Sequence, residues 1–267
     1  MPDIEWILLY IVLGALVGFM AGLLGLGGGG ILVPLLTSIF TYQGISGDNA
    51  VHLALGTSLA CMIISSTASI RAHAYQGAVV WQVVGGMAPG IILGGFLATQ
   101  AAARVNSACI AIFFALFMAV VAGQMFLNWQ PKPSSKPVSF RGLIVAGIGI
   151  GSVSALAAVG GGFLTVAYLG YKNVNIKRAI GTSAAIGFPI AITGTAGYMM
   201  SGWSITLSNP YTLGFIDVPA FLAISIASSI SASYGARCSH GLPEAYLKKI
   251  FAVISLLLSI KMLVSFV

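Results

Sequence analysis

The sequence predicts an all-α integral membrane protein made of two inverted repeats, each a glycine-broken, re-entrant helix pair followed by three full transmembrane helices. Three observations lead there. Apolar residues fill 58% of the 267 positions and charged residues only 6%, against about 25% charged in a soluble domain. Runs of about 20 apolar residues recur, each long enough to cross roughly 30 Å of hydrocarbon. A glycine-rich break interrupts apolar sequence twice, at Gly25–Gly30 and at Gly160–Gly162, and a matching tag follows each, Ala54-Leu55-Gly56-Thr57-Ser58 and Ala179-Ile180-Gly181-Thr182-Ser183. Interruptions at corresponding places in two halves mark a substrate site where the repeats meet.

The elements follow in order. Segments at 5–24 and 28–43 are joined by the first break, and longer runs cover 50–70, 79–101 and 107–127. Asp3 and Glu5 stand where a cleavable signal peptide would be basic, so the first run reads as a retained span. The first repeat is 1–127. A polar linker, 128–140, carries Pro131, Pro133, Pro137, Lys132 and Lys136. The pattern restarts in the second repeat, 141–267: segments at 141–159 and 161–171 flank the second break, then 178–200, 215–236 and 247–266. At 1.5 Å per residue the segment after the second break is too short to cross. Such irregular backbone survives in a bilayer only when buried in protein or lining a cavity.

Charge sets the orientation. With both termini outside and the linker cytoplasmic, Arg71, Lys132, Lys136, Arg141, Lys172, Lys177, Arg178, Arg237, Lys248 and Lys249 face the cytoplasm, and only Arg104 and Lys261 lie outside. The positive-inside rule favours this arrangement. The first half then starts outside and the second inside, so the halves are inverted across the membrane plane. The net charge of +7 is accounted for by these loops and is no nucleic-acid footprint. The expected partners are the lipid bilayer and a small anionic substrate, and a homo-oligomer is compatible with the sequence. Cys61, Cys109 and Cys238 lack metal-ligand spacing. No cofactor, metal or catalytic set is called for.

The candidate binding residues are Gly28, Gly29, Gly30, Gly56, Thr57, Ser58, Gly161, Gly162, Gly181, Thr182, Ser183 and Arg178. A helix that restarts after a glycine break presents unpaired N–H groups and a positive dipole end, a ready anion site. Tight helix packing is the alternative use of such glycines. The tag hydroxyls sit near mid-membrane and suit an oxyanion, or else they bond their own helix's carbonyls. Thr57, Cys61, Ser65 and Ser69 form one polar stripe, and Ser225, Ser228, Ser229 and Ser233 a second. Interhelical hydrogen bonding accounts for such stripes as well as a substrate path does. Arg178 either orients the chain or draws an anion from the cytoplasm. His52 and His73 read as interfacial residues at segment ends, and Asp48, Asp217 and Glu244 as acids near segment ends, leaving no acidic relay across the core.

With Gly25 to Pro34, His52 to Ser58, Gly160–Gly162 and Ala179–Ser183, nearly the whole chain resembles the sulfite exporter TauE/SafE family. Pro34 has no counterpart after Gly162. The resemblance implies inner-membrane transport of small sulfur-containing anions such as sulfite, sulfonates or sulfoacetate, and related members handle other organic anions. The competing class is a membrane sulfur-handling enzyme with Cys61 as nucleophile, which needs a base beside that thiol.

Overall fold

The computed structural model describes residues 4–24, 28–127, 139–205, 211–239 and 244–264. They form ten helices: α1 (Ile4–Leu24), α2 (Gly29–Tyr42), α3 (Gly47–Tyr75), α4 (Trp81–Ala102), α5 (Ser107–Phe126), α6 (Phe140–Leu156), α7 (Gly162–Tyr171), α8 (Ile176–Ser201), α9 (Val218–Ser239) and α10 (Glu244–Val264). Five are long and apolar enough to cross a membrane. The 14 residues of α2 and 10 of α7 span only about 21 Å and 15 Å, short of the hydrocarbon thickness. Linker residues 128–138 and Gly25–Gly27 of the first break lie outside the described residues.

Helix starts follow local chemistry. Ser46, Asn106 and Asn175 each accept a backbone N–H from the first turn of α3, α5 and α8, which is the ordinary capping role of these side chains. The breaks use a different device: Gly28 and Gly161 sit in the left-handed region, at φ 68° and 67°, immediately before α2 and α7. A side-chain-bearing residue resists that conformation.

Packing pairs each half with the other. α1 lies against α9 and α4 against α6; α3 crosses α8; α5 packs on α10; α2 leans on α3 and α7 on α8. Numbering the helices one to five within each half, the first packs on the other half's fourth, in both directions. The third packs on the third and the fifth on the fifth. Exchanging the halves therefore preserves the main contacts. Glycines spaced by four make the reciprocal seams close. A Cβ on Gly90 or Gly94 of α4 would lie 2.1 or 2.3 Å from the carbonyl oxygens of Ile144 and Ile148 in α6. In α1, Gly14 and Gly18 are likewise seated on the α9 backbone at Ile224 and Ser228. This is small-residue packing of membrane helices.

The core is apolar around α3, with Leu55, Leu59, Met62, Met87, Phe114 and Tyr198 all nearly or wholly buried. Large apolar residues also cover the outside, including Leu8, Val12, Leu116, Val120, Ile226 and Leu257. A water-facing surface would avoid such an expanse; a lipid-facing one requires it.

Candidate functional site

The two breaks meet. α6 ends in a left-handed turn in which the Val159 N–H reaches the Ser154 carbonyl at 3.0 Å, and Ala158 takes φ 46° where glycine is usual. The Ala158 carbonyl points at the first break: a Cβ on Gly29 would lie 2.1 Å from its oxygen. Met62 of α3 bridges the junction, its sulfur 3.7 Å from the Cβ position of Gly29 and 3.0 Å from that of Gly160. From α8, Gly187 closes on the Gly160 carbonyl, 2.9 Å from its own Cβ position. Gly28, Gly29, Gly161 and Gly162 are buried and Gly30 half-buried.

Both breaks border one cavity. Gly28 and Gly30 line one side, Val159 and Phe163 another, with Met20 and Met118 closing it. Its interior is about 20 Å³, room for about one water. None of its lining residues is ionisable. The polar groups beside it are those of the helix starts. The Ile31 and Leu32 N–H groups both turn back to the Gly28 carbonyl, at 3.1 and 3.2 Å. The amides of Gly29 and Gly30 precede them and have no acceptor within the helix.

The tags do something the sequence did not disclose. The Thr57 hydroxyl oxygen accepts the backbone N–H of Asp217 at 3.0 Å, in the residue before α9. The Thr182 hydroxyl oxygen accepts the N–H of Val80 at 2.9 Å, in the residue before α4. Each preceding glycine makes room: a Cβ on Gly56 would lie 2.0 Å from the Phe215 carbonyl oxygen, and one on Gly181 2.6 Å from that of Ala78. Phe215 and Ala78 each stand two residues before the N–H that the threonine holds. The Gly-Thr pair is thus a clamp, and each half clamps the start of the other half's fourth helix.

The serines differ. Ser183 donates to its own Ile180 carbonyl at 2.8 Å, the local bond anticipated as the alternative. Ser58 is fully buried and its Oγ has no hydrogen-bond partner among the described residues. One turn on from each serine stand Met62 and Gly187, the residues that touch the breaks. Arg178 is exposed in the first turn of α8.

Two residues read at segment ends are buried. His52 is 3% exposed, held between the Asp48 carbonyl at 3.1 Å and the Ala102 carbonyl at 3.0 Å. It lies inside the helix because α3 begins earlier than the apolar run. Asp217 stands at a segment end as read, immediately before α9; it is 1% exposed and caps that helix by accepting the Ala220 N–H at 2.9 Å. The spacing of His52 before the Gly-Thr-Ser tag was the available signal for the first. Nothing in the sequence pairs Asp217 with Thr57.

Comparison with known proteins now decides the class. The sequence profile described as "Sulfite exporter TauE/SafE" matches residues 10–262. The chain belongs to the sulfite exporter TauE/SafE family. This TauE/SafE protein is 35% identical over 258 residues to a Haemophilus influenzae protein named "Probable membrane transporter protein", covering 96% of this chain and 98% of the relative. Similarly named proteins of Methanocaldococcus jannaschii and Bacillus subtilis are 28% and 27% identical, each over 90% of this chain and over 89% and 94% of the relatives. No solved structure matches. The TauE/SafE protein is therefore a membrane transporter and not an enzyme.

The geometry at Cys61 agrees with that assignment. The thiol is buried, with its sulfur 3.8 Å from the Phe221 carbonyl oxygen, and both ring nitrogens of His52 are engaged elsewhere. Cys61→Ser is expected to leave the initial flux within about 2-fold of wild type in reconstituted vesicles, because a buried cysteine acts as a small hydrophobe. A folded variant without flux would restore a chemical role for the sulfur.

Proposed function

We propose that this transporter exports small sulfur-containing anions, such as sulfite, sulfonates or sulfoacetate, across the inner membrane by alternating access. The substrate is held where the starts of α2 and α7 share one pocket. The observation that carries this reading is one cavity lined by Gly28 and Gly30 of the first break and by Val159 and Phe163, which flank the second, with no ionisable group among its lining residues. A partly buried helix N-terminus favours an anion by up to about 2 kcal/mol, and backbone N–H groups match an oxyanion. Ser58, one turn before the Met62 that touches both breaks, adds a buried hydroxyl with no hydrogen-bond partner among the described residues, and Arg178 draws the anion toward the cytoplasmic mouth. The Gly56-Thr57 and Gly181-Thr182 clamps serve as the two gates.

The gating follows from symmetry. The exchange of contacts between halves supports an inverted pair, in which swapping the conformations of the repeats swaps the open side. Export needs no coupled ion where the interior is negative. Each anionic charge leaving gains about 2.3 kcal/mol per 100 mV.

Two measurements check this reading. In sulfite-loaded proteoliposomes, flux is expected to rise steeply with an imposed potential and to be blocked by other sulfur oxyanions before carboxylate controls. Flux indifferent to voltage, or equal competition by carboxylates, overturns the cargo assignment. Single cysteines at Lys132 and Lys261 are expected to label from opposite sides in oriented vesicles. Labelling from one side removes the inversion.

A further inference from the structure

We propose that His52 is a proton-binding site that locks the Thr57–Asp217 clamp, making one of the two gates pH-sensitive. The site has two hydrogen-bonding registers that differ by one proton. In the neutral register, the Nε2–H donates to the Ala102 carbonyl at 3.0 Å and Nδ1 accepts from the Ser107 hydroxyl at 3.0 Å. In the protonated register, Nδ1–H donates to the Asp48 carbonyl at 3.1 Å. The Ser107 hydroxyl then turns its single proton to that same carbonyl, with which it is already in contact. Both registers leave every ring nitrogen satisfied, so the proton can arrive and leave without breaking the packing. Histidine is the side chain whose charge changes in the physiological range.

The surroundings accept the cation. Ala102 is the last residue of α4, the negative end of that helix dipole. The start of α5 opposes this, but it meets the ring through the Ser107 hydroxyl, which can turn. The Phe215 ring is stacked on the imidazole, with centroids 5.2 Å apart and planes at 30°, within cation–π range. From α8, Tyr198 faces the ring at 6.4 Å. Asp217, two residues beyond Phe215, spends one oxygen on the Ala220 N–H. The Asp48 side chain and Arg104, in the turn after α4, are exposed.

Position ties the proton to the gate. His52 and Gly56 are one turn apart on one face of α3. Across that face the 215–217 segment stacks Phe215 on His52, rests its carbonyl over Gly56 and gives the Asp217 N–H to Thr57. Protonation strengthens the stack and holds the segment down; loss of the proton frees one of its anchors. The other clamp has no such device. The residue five before Thr182 is Lys177, which is exposed, and Ala78 stands where Phe215 does.

The first test needs no substrate. In full-length protein labelled at its three histidines, the His52 resonance, assigned by its loss in His52→Gln, is expected to exchange between the two registers as pH is varied. Phe215→Leu is expected to alter the pH dependence of that exchange. A His52 that keeps one protonation state, or a pH dependence indifferent to Phe215→Leu, overturns the proposal. The second test rests on the proposed cargo. With membrane potential held at zero, sulfoacetate flux is expected to change at least ~3-fold between about pH 6 and 8. His52→Gln, whose amide can still donate and accept, flattens that profile, and Ser107→Ala displaces its midpoint. A His52→Gln profile that tracks wild type overturns the proton site. No wild-type sulfoacetate flux beside a titrating His52 counts against the cargo and leaves the proton site standing.

Discussion

Gly29→Ala is expected to abolish transport and lower thermal stability. The new methyl group would sit 2.1 Å from the Ala158 carbonyl oxygen. That obstacle is backbone, held by the turn that ends α6, and it cannot rotate away as a side-chain tip would. Relief requires the two breaks to separate, which costs about 1–3 kcal/mol or more by analogy with overpacked cores. It also pulls the α2 amides off the shared pocket. Gly85→Ala is the matched control, because nothing lies within 4 Å of a Cβ there. In the interior of α4 it is expected to stabilise by about 0.5–1 kcal/mol. Melting in detergent and flux in vesicles check the pair. Equal behaviour of the two variants would mean that the breaks do not depend on close contact.

The second large effect concerns the clamps. Thr57→Val and Thr182→Val preserve shape but leave the N–H of Asp217 or Val80 without its acceptor, at about 1–3 kcal/mol each. If the halves work as alternating gates, the two substitutions shift the conformational balance in opposite directions. Thr57→Val is expected to raise labelling of a pocket cysteine from outside, and Thr182→Val from inside. A shift of 1.4 kcal/mol is about tenfold in that ratio. Serine at either position keeps the acceptor oxygen and should restore the balance. Shifts in the same direction would make the clamps mere struts.

Much of this architecture was legible because membrane helices announce themselves. A long apolar run needs no partner to be recognised, since the bilayer is its solvent. The runs at 79–101 and 107–127 accordingly fall within two residues of α4 and α5. The start of α3 was missed by three residues because Ser46 caps it through polar sequence, Gly47 to Asn49, outside the hydrocarbon pattern. The breaks were legible too, as glycine runs have few other uses inside apolar sequence. The role of each tag was not. Thr57 and Asp217 are separated by 160 positions, and no local pattern reports which distant N–H a hydroxyl will meet. The burial of His52 and Asp217 was hidden for the same reason: both lie near polar turns in sequence, but neighbouring helices cover them.

The amino-acid order alone determined that this chain is an all-helical membrane protein and where its helices are interrupted. Those properties are set by composition and by single-residue conformational preference, which act over a few positions at a time. Only the packed structure decided that the interruptions touch each other and that each Gly-Thr pair grips the opposite half. Such pairings depend on which helix lies beside which, and that choice is made by close fit between surfaces far apart along the chain.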